Sequence, residues 1–135
     1  MKAQKIIIGE EDFQRLKNMI AEMSGVRNSD TREHLARLEE EIDSATIMSK
    51  EKMPPDIVTM DSTVSFVEED TGESFFYTLT WPQSADIEQN KISILAPVGM
   101  ALLGYATGDI VEWDVPSGRK KFRIEAIRQK ESGFI

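Results

Sequence analysis

Apolar residues recur at helical spacing in the first third of the chain and at a period of two through the rest. Phe13, Leu16, Ile20 and Met23 fall three, four and three residues apart, as do Leu35, Leu38, Ile42 and Ala45. Each set is the narrow a/d seam through which two helices pack as a coiled coil. Glu10, Glu11 and Asp12 crowd the first turn of the first helix, where carboxylates favour the positive end of the helix dipole. Gly25 is expected to end that helix, and Asp30 with Glu33 has the spacing of a capping box for the second. The short connection makes the pair an antiparallel helical hairpin. Each helix would have about 15–18 residues and a length of roughly 22–27 Å. Two seams of four residues are thin, so the base of the hairpin should lean on the rest of the chain.

Met53-Pro54-Pro55 marks the change of period, since two prolines cannot continue a helix and each pushes its predecessor to extended backbone. The expected units are therefore 1–52 and 53–135. Residues 57–60 read as a strand. Residues 63–68 and 74–80 flank Asp70-Thr71-Gly72-Glu73, a hairpin turn. Trp81-Pro82 ends the second of these strands, 83–90 is a polar loop, and 91–95 is the next strand. In the last hairpin Val111, Trp113 and Val115 should point inward, with Phe122, Ile124 and Ala126 returning inward after the Pro116-Ser117-Gly118 turn.

Residues 93–109 hold the centre of this pattern. Pro97 suits the first turn of a helix, where its missing N–H costs no bond, and Gly104 suits the left-handed position that ends one. Gly108-Asp109 makes a turn before the final hairpin. The expectation is strand, one and a half to two helical turns, turn, strand. The whole is an α+β chain.

Composition narrows the chemistry. The absence of cysteine rules out disulfides and thiol catalysis, and the lone histidine, His34, is expected on the exposed side of the second helix. No transition-metal site, cofactor or nucleophile-elbow motif is expected. Apolar runs are too short for a membrane helix or a secretory signal, so a cytoplasmic protein is expected. The net charge of −8 argues against a dedicated nucleic-acid binder. Bases are concentrated in Arg119, Lys120, Lys121, Arg123, Arg128 and Lys130. They form either a docking surface or the partners of an acidic neighbouring strand. Asp30 and Glu33 likewise have two readings. They cap a helix, or they are carboxylates on a protruding tip that could help hold a metal in another protein's active site.

The succession Ile94-Leu95-Ala96-Pro97-Val98-Gly99-Met100-Ala101-Leu102-Leu103-Gly104, then Gly108-Asp109 and Pro116-Ser117-Gly118, resembles the Gre transcript-cleavage factors of bacterial RNA polymerase. Residues 53–64, from Met53-Pro54-Pro55 to Val64, look like the Rnk branch of that family, the regulators of nucleoside diphosphate kinase. The resemblance implies an FKBP-like antiparallel β-domain with one short helix and no prolyl isomerase activity. It implies docking on the rim of the polymerase secondary channel, with Ala96, Pro97, Val98, Gly99 and Met100 toward the docking surface. Met100 and Tyr105 depart from the family, which commonly has basic residues there. Gre tips carry a D-x-x-E pair, matched in spacing by Asp30-Thr31-Arg32-Glu33. Helices near 25 Å are about half the family's length, so no stimulation of transcript cleavage is expected. The expected protein is a monomeric, non-enzymatic polymerase-binding regulator with little or no direct DNA binding. The rival readings are a direct modulator of nucleoside diphosphate kinase and an FKBP-like prolyl isomerase.

Overall fold

The structure, a computed structural model, describes residues 6–115 and 118–129, the side chains of 113–115 excepted. The first element is a strand the apolar pattern does not reveal. β1 (Ile7–Gly9) leads directly into α1 (Glu10–Glu22), and α2 (Ser29–Asp43) leads into β2 (Thr46–Met48). The two strands pair in parallel, Ile8 opposite Ile47, in a two-stranded sheet of their own. A strand of three residues shows no alternation, and its partner lies a whole helical pair away in sequence.

Both expected helices form, α1 shorter than expected at 13 residues and α2 at the lower end of the expected length at 15. Leu16 and Ile20 of α1 and Leu35, Leu38 and Ile42 of α2 are buried. Each is worth about 1.5–3 kcal/mol when fully removed from water. Outside the seam, Lys17 Nζ reaches Glu39 Oε2 and Asp43 Oδ1, both at 3.0 Å. The caps differ from expectation. Asn28, not Asp30, is the N-cap of α2, its side chain accepting from the Thr31 N–H at 3.0 Å. Asp30 lies inside the first turn, so Asp30 and Glu33 do not form a capping box. α1 ends at Glu22, before Gly25, which has no left-handed backbone. His34 is half-buried rather than exposed.

The second sheet has the order β5-β4-β3-β7-β6. Its strands are β3 (Thr63–Glu68), β4 (Ser74–Thr80), β5 (Lys91–Ser93), β6 (Ile110–Val115) and β7 (Gly118–Arg128). It is mixed, not antiparallel throughout, because β5 runs parallel to β4. Residues 57–60 do not form the expected strand; only an isolated bridge joins Ile57 to Ala106. That segment is still held, by Val58 N–H to Tyr105 O at 2.8 Å and Thr107 N–H to Asp56 O at 3.1 Å.

The inner face of the sheet buries Val64, Phe66, Leu79, Ile92, Val111, Phe122 and Ile124. Ala126 breaks the expected alternation and is exposed. Ser65 faces Ala126 while the next residue, Phe66, faces Ile124, so Glu125 is the extra residue of a β-bulge. The bulge reverses the side-chain phase and turns Ile127 toward the core instead. The expected orientations of Trp113, Asp114 and Val115, and the Pro116-Ser117 part of the turn, fall outside the described residues.

One core joins the helical seams to the sheet, from Ile6 and Ile8 through Leu16 and Leu38 to Phe66 and Ile124. The base of the helical pair does lean on the sheet unit. Asp12 accepts from the Met60 N–H at 3.0 Å, and the Arg15 guanidinium lies 4.5 Å from the centre of the Trp81 ring. At the far side Gln129 donates to the carbonyls of Pro55 and Ile57 and accepts from the Thr59 hydroxyl.

Candidate functional site

The corner between β5 and β6 is built as the sequence predicts, from a proline start and a glycine stop. β5 ends at Ser93, whose Oγ accepts from the Leu95 N–H at 2.9 Å and whose carbonyl accepts from Ala96 at 3.0 Å. This tight turn delivers the chain to α3 (Pro97–Leu102), with Ala96 as N-cap and Pro97 at its first position. β5 is therefore shorter than the expected 91–95, since Leu95 is already in the turn. Leu102 and Leu103 are buried, and Gly104 follows with φ of +87°.

Two glycines fix this corner by close approach. A Cβ on Gly99 would stand 2.3 Å from the Ser93 carbonyl oxygen, so any larger residue would push α3 off β5. A Cβ on Gly104 would stand 2.5 Å from Ile6 Cβ. Gly104 donates to Val58 O at 3.0 Å and accepts from Ile7 at 3.1 Å, which ties α3 to both β1 and the segment after the prolines.

Of the five residues expected at a docking surface, Pro97 is exposed and Ala96, Val98 and Met100 are half-buried. Val98 and Met100 also pack against the core. Gly99 is buried and faces inward; its place in a contact surface is not supported, and its role is to let α3 seat on β5. Tyr105 is half-buried beside the corner. Burial, with Glu41 and Asp109 nearby, raises its hydroxyl above the ordinary tyrosine value. The turn beyond it is closed by the Asp109 carboxylate accepting from the Ala106 N–H at 2.8 Å.

Asp30 and Glu33 are exposed on the first turns of α2, an element apart from α3. Among the described residues neither makes a hydrogen bond or ion pair through its side chain, and no cluster of three or more metal-ligating side chains occurs. The bases of β7 mostly find acidic partners: Arg119 pairs with Glu112 at 3.3 Å, Lys120 with the buried Glu68 at 3.0 Å, and Arg123 with Glu69 and Glu125. The partners come from β3 and its turn as well as from β6. The aromatics Phe66, Phe75, Tyr77 and Phe122 pack on one another, with ring centres 5.5–6.1 Å apart. No helix among the described residues is long and apolar enough to cross a membrane.

Sequence reasoning missed two features of the surface. Ser93 shapes the entry to α3, and a serine two residues before an N–H that it can cap is a recognisable turn signal. Phe76 is 56% exposed, between Phe75 and Tyr77, which pack against the core. In Phe75-Phe76-Tyr77 a strand must send one of three consecutive aromatics outward.

Residues 53–129 match the C-terminal family of transcription elongation factors GreA/GreB, and residues 4–48 match the Rnk N-terminus. The chain is 35% identical over 120 residues to the regulator of nucleoside diphosphate kinase of Escherichia coli K12, covering 87% of this chain and 84% of that protein. It is 32% identical over 91 residues to the transcription elongation factor GreA of Brucella canis, covering 67% of this chain and 58% of that one. Among solved structures, a GreA/GreB elongation factor from Nitrosomonas europaea superimposes with a TM-score of 0.73 at 39% identity, over 93% of this chain and 99% of that one. With α3 and the sheet falling inside the first match and both helices inside the second, the chain belongs to the GreA/GreB family and carries the N-terminal part of its Rnk members.

Proposed function

We propose that this chain is a non-enzymatic regulator that binds RNA polymerase at the rim of the secondary channel, as a cytoplasmic monomer, without stimulating transcript cleavage. The observation that carries this reading is the α3 corner. Pro97 is exposed and Ala96, Val98 and Met100 are half-buried around the start of α3, which Gly99 and Gly104 seat by close approach to Ser93 and Ile6. A surface whose shape is fixed before contact loses little ordering entropy on binding. Residues 53–135 act as an FKBP-like docking module, and the aromatic rings that would line an isomerase pocket fill one another's space. Residues 1–52 act as a short antiparallel coiled coil with Asp30 and Glu33 as its tip. Helices of 13 and 15 residues reach only about 20–22 Å, which supports occupancy of the rim without delivery of carboxylates to a distant metal.

A second reading, direct binding to nucleoside diphosphate kinase, is favoured by the name of the relative at 35% identity. One co-purification separates the two. Immobilised chain is offered core polymerase and the kinase, with and without a competing Gre factor. Retention of polymerase, displaced by the competitor, is expected. Pro97→Asp adds a charge at the exposed first position of α3, where an acid suits the helix start; Met100→Glu adds one a turn later. Each should cut polymerase retention at least tenfold, with circular dichroism checking that the half-buried Met100 site still folds. Retention of the kinase alone would overturn the proposal, and cleavage by a backtracked polymerase on addition of the chain would overturn its final clause.

A further inference from the structure

The outer face of the five-stranded sheet has no element packed on it among the described residues, and it differs in charge from the rest of the chain. Register places its side chains in rows. One row runs Lys91, Thr78, Thr63, Arg128 across β5, β4, β3 and β7. The next runs Phe76, Ser65, Ala126. The end cations of the first row are three strand spacings apart, roughly 14 Å. Between and beside them are small side chains, the Thr63 and Thr78 hydroxyls bonded to each other at 2.8 Å. Phe76 rises from this low ground, 56% exposed, and the Asn90 amide donates to its backbone carbonyl at 2.9 Å.

Among the described residues, Glu69 and Glu125 hold Arg123 and Glu112 holds Arg119, while Asp86, bridged through its backbone to Lys91, accepts from the Glu88 N–H and the Gln89 amide and keeps its charge. Lys91, Lys121 and Arg128 make no ion pair among the described residues. An unpaired cation at each end of a row, with a solvent-facing ring in the row beside it, is the chemistry that receives a single nucleic-acid strand. Phosphates meet the cations and one base stacks on the ring. A duplex would not fit, because its bases are already stacked. The whole-chain charge of −8 argues only against long-range attraction, so binding should be short-ranged and sensitive to salt.

We propose that the outer face of the sheet around Phe76, Lys91 and Arg128 binds a short single strand of nucleic acid, independently of the α3 corner. Fluorescence anisotropy of a labelled ten-residue oligouridylate, titrated with the full chain at 50 mM salt, tests it. Saturable binding is expected. Three phosphate contacts would weaken it about 15- to 20-fold on raising salt to 200 mM. Phe76→Ala should weaken it about tenfold and Phe76→Trp should restore it. Arg128→Gln should weaken it and flatten the salt dependence, whereas Arg27→Gln, away from the sheet, should not. A deoxythymidylate of the same length decides between RNA and DNA, and binding of either supports the proposal. No saturable binding at 50 mM salt, affinity unchanged in Phe76→Ala, or equal displacement by oligoglutamate would overturn it. Polymerase retention by Phe76→Ala should stay intact, so failure here and failure of the polymerase reading are separable.

Discussion

The α3 corner and the tip of the helical pair are two places where this chain presents a formed surface, and they are built on opposite principles. The corner is held by backbone. Ser93, Gly99 and Gly104 bring three segments within hydrogen-bond or van der Waals range, and almost no other residue type fits at the two glycines. The tip is held by side chains in water. One cap from Asn28 starts α2, and Asp30 and Glu33 are exposed on its first turns, without a side-chain partner among the described residues. A surface defined by packing keeps its shape and can be recognised by shape. A surface defined by solvated charge can be rewritten residue by residue without cost to the fold, and it conveys only sign.

Breaking the corner should therefore have the largest effect. Gly99→Ala should cost about 3 kcal/mol in urea unfolding, since the new methyl meets a backbone carbonyl that cannot rotate away. A loss below about 1 kcal/mol would show that α3 can slide off β5. The next test lies where the helical pair meets the sheet. Burial raises the Asp12 carboxyl above its ordinary value, opposed by the Met60 N–H and Arg15. Such a group favours folding fully below its unfolded value of 3.8 and loses that contribution as pH rises through its folded value. Asp12→Asn keeps an acceptor for Met60 but cannot ionise. Its stability relative to the parent should grow from pH 3.8 upward and level off above the folded value; a difference constant with pH would show that Asp12 does not titrate differently on folding. The smallest effect belongs to the exposed ion pairs. Lys17, raised by its bonds to Asp43 and Glu39, is solvated. Lys17→Gln should barely move the thermal midpoint, and less still at high salt.

How far each region could be read from sequence follows the same division. Pro97 at the start of α3 and Gly104 at its end were legible because each residue type has a backbone preference of its own. The hairpins were legible from alternation. What hid was whatever depends on a distant partner. β1 is a strand only because β2 and Gly104 receive it. Gly99 reads as an ordinary helix-weakening glycine until Ser93 is seen beside it. The bulge at Glu125 carries no mark in the sequence, and it alone moves Ala126 out and Ile127 in. Residues 57–60 had the composition of a strand but only one bridge to pair with. Of the candidate sites, the corner could be located but not its inward-facing member, and Asp30 and Glu33 could be located but not that they have no side-chain partner among the described residues.

The bond from Ile7 to Gly104 also bears on the order of folding. Helices α1 and α2 have their seams within the first part of the chain and can pair as soon as that part is made. Their base cannot settle until residue 104 exists, because β1 rests on it. Contacts of such sequence separation form late. A chain emerging from the ribosome would thus carry a helical pair without its footing until α3 is complete, and the docking corner and the footing would appear in the same step.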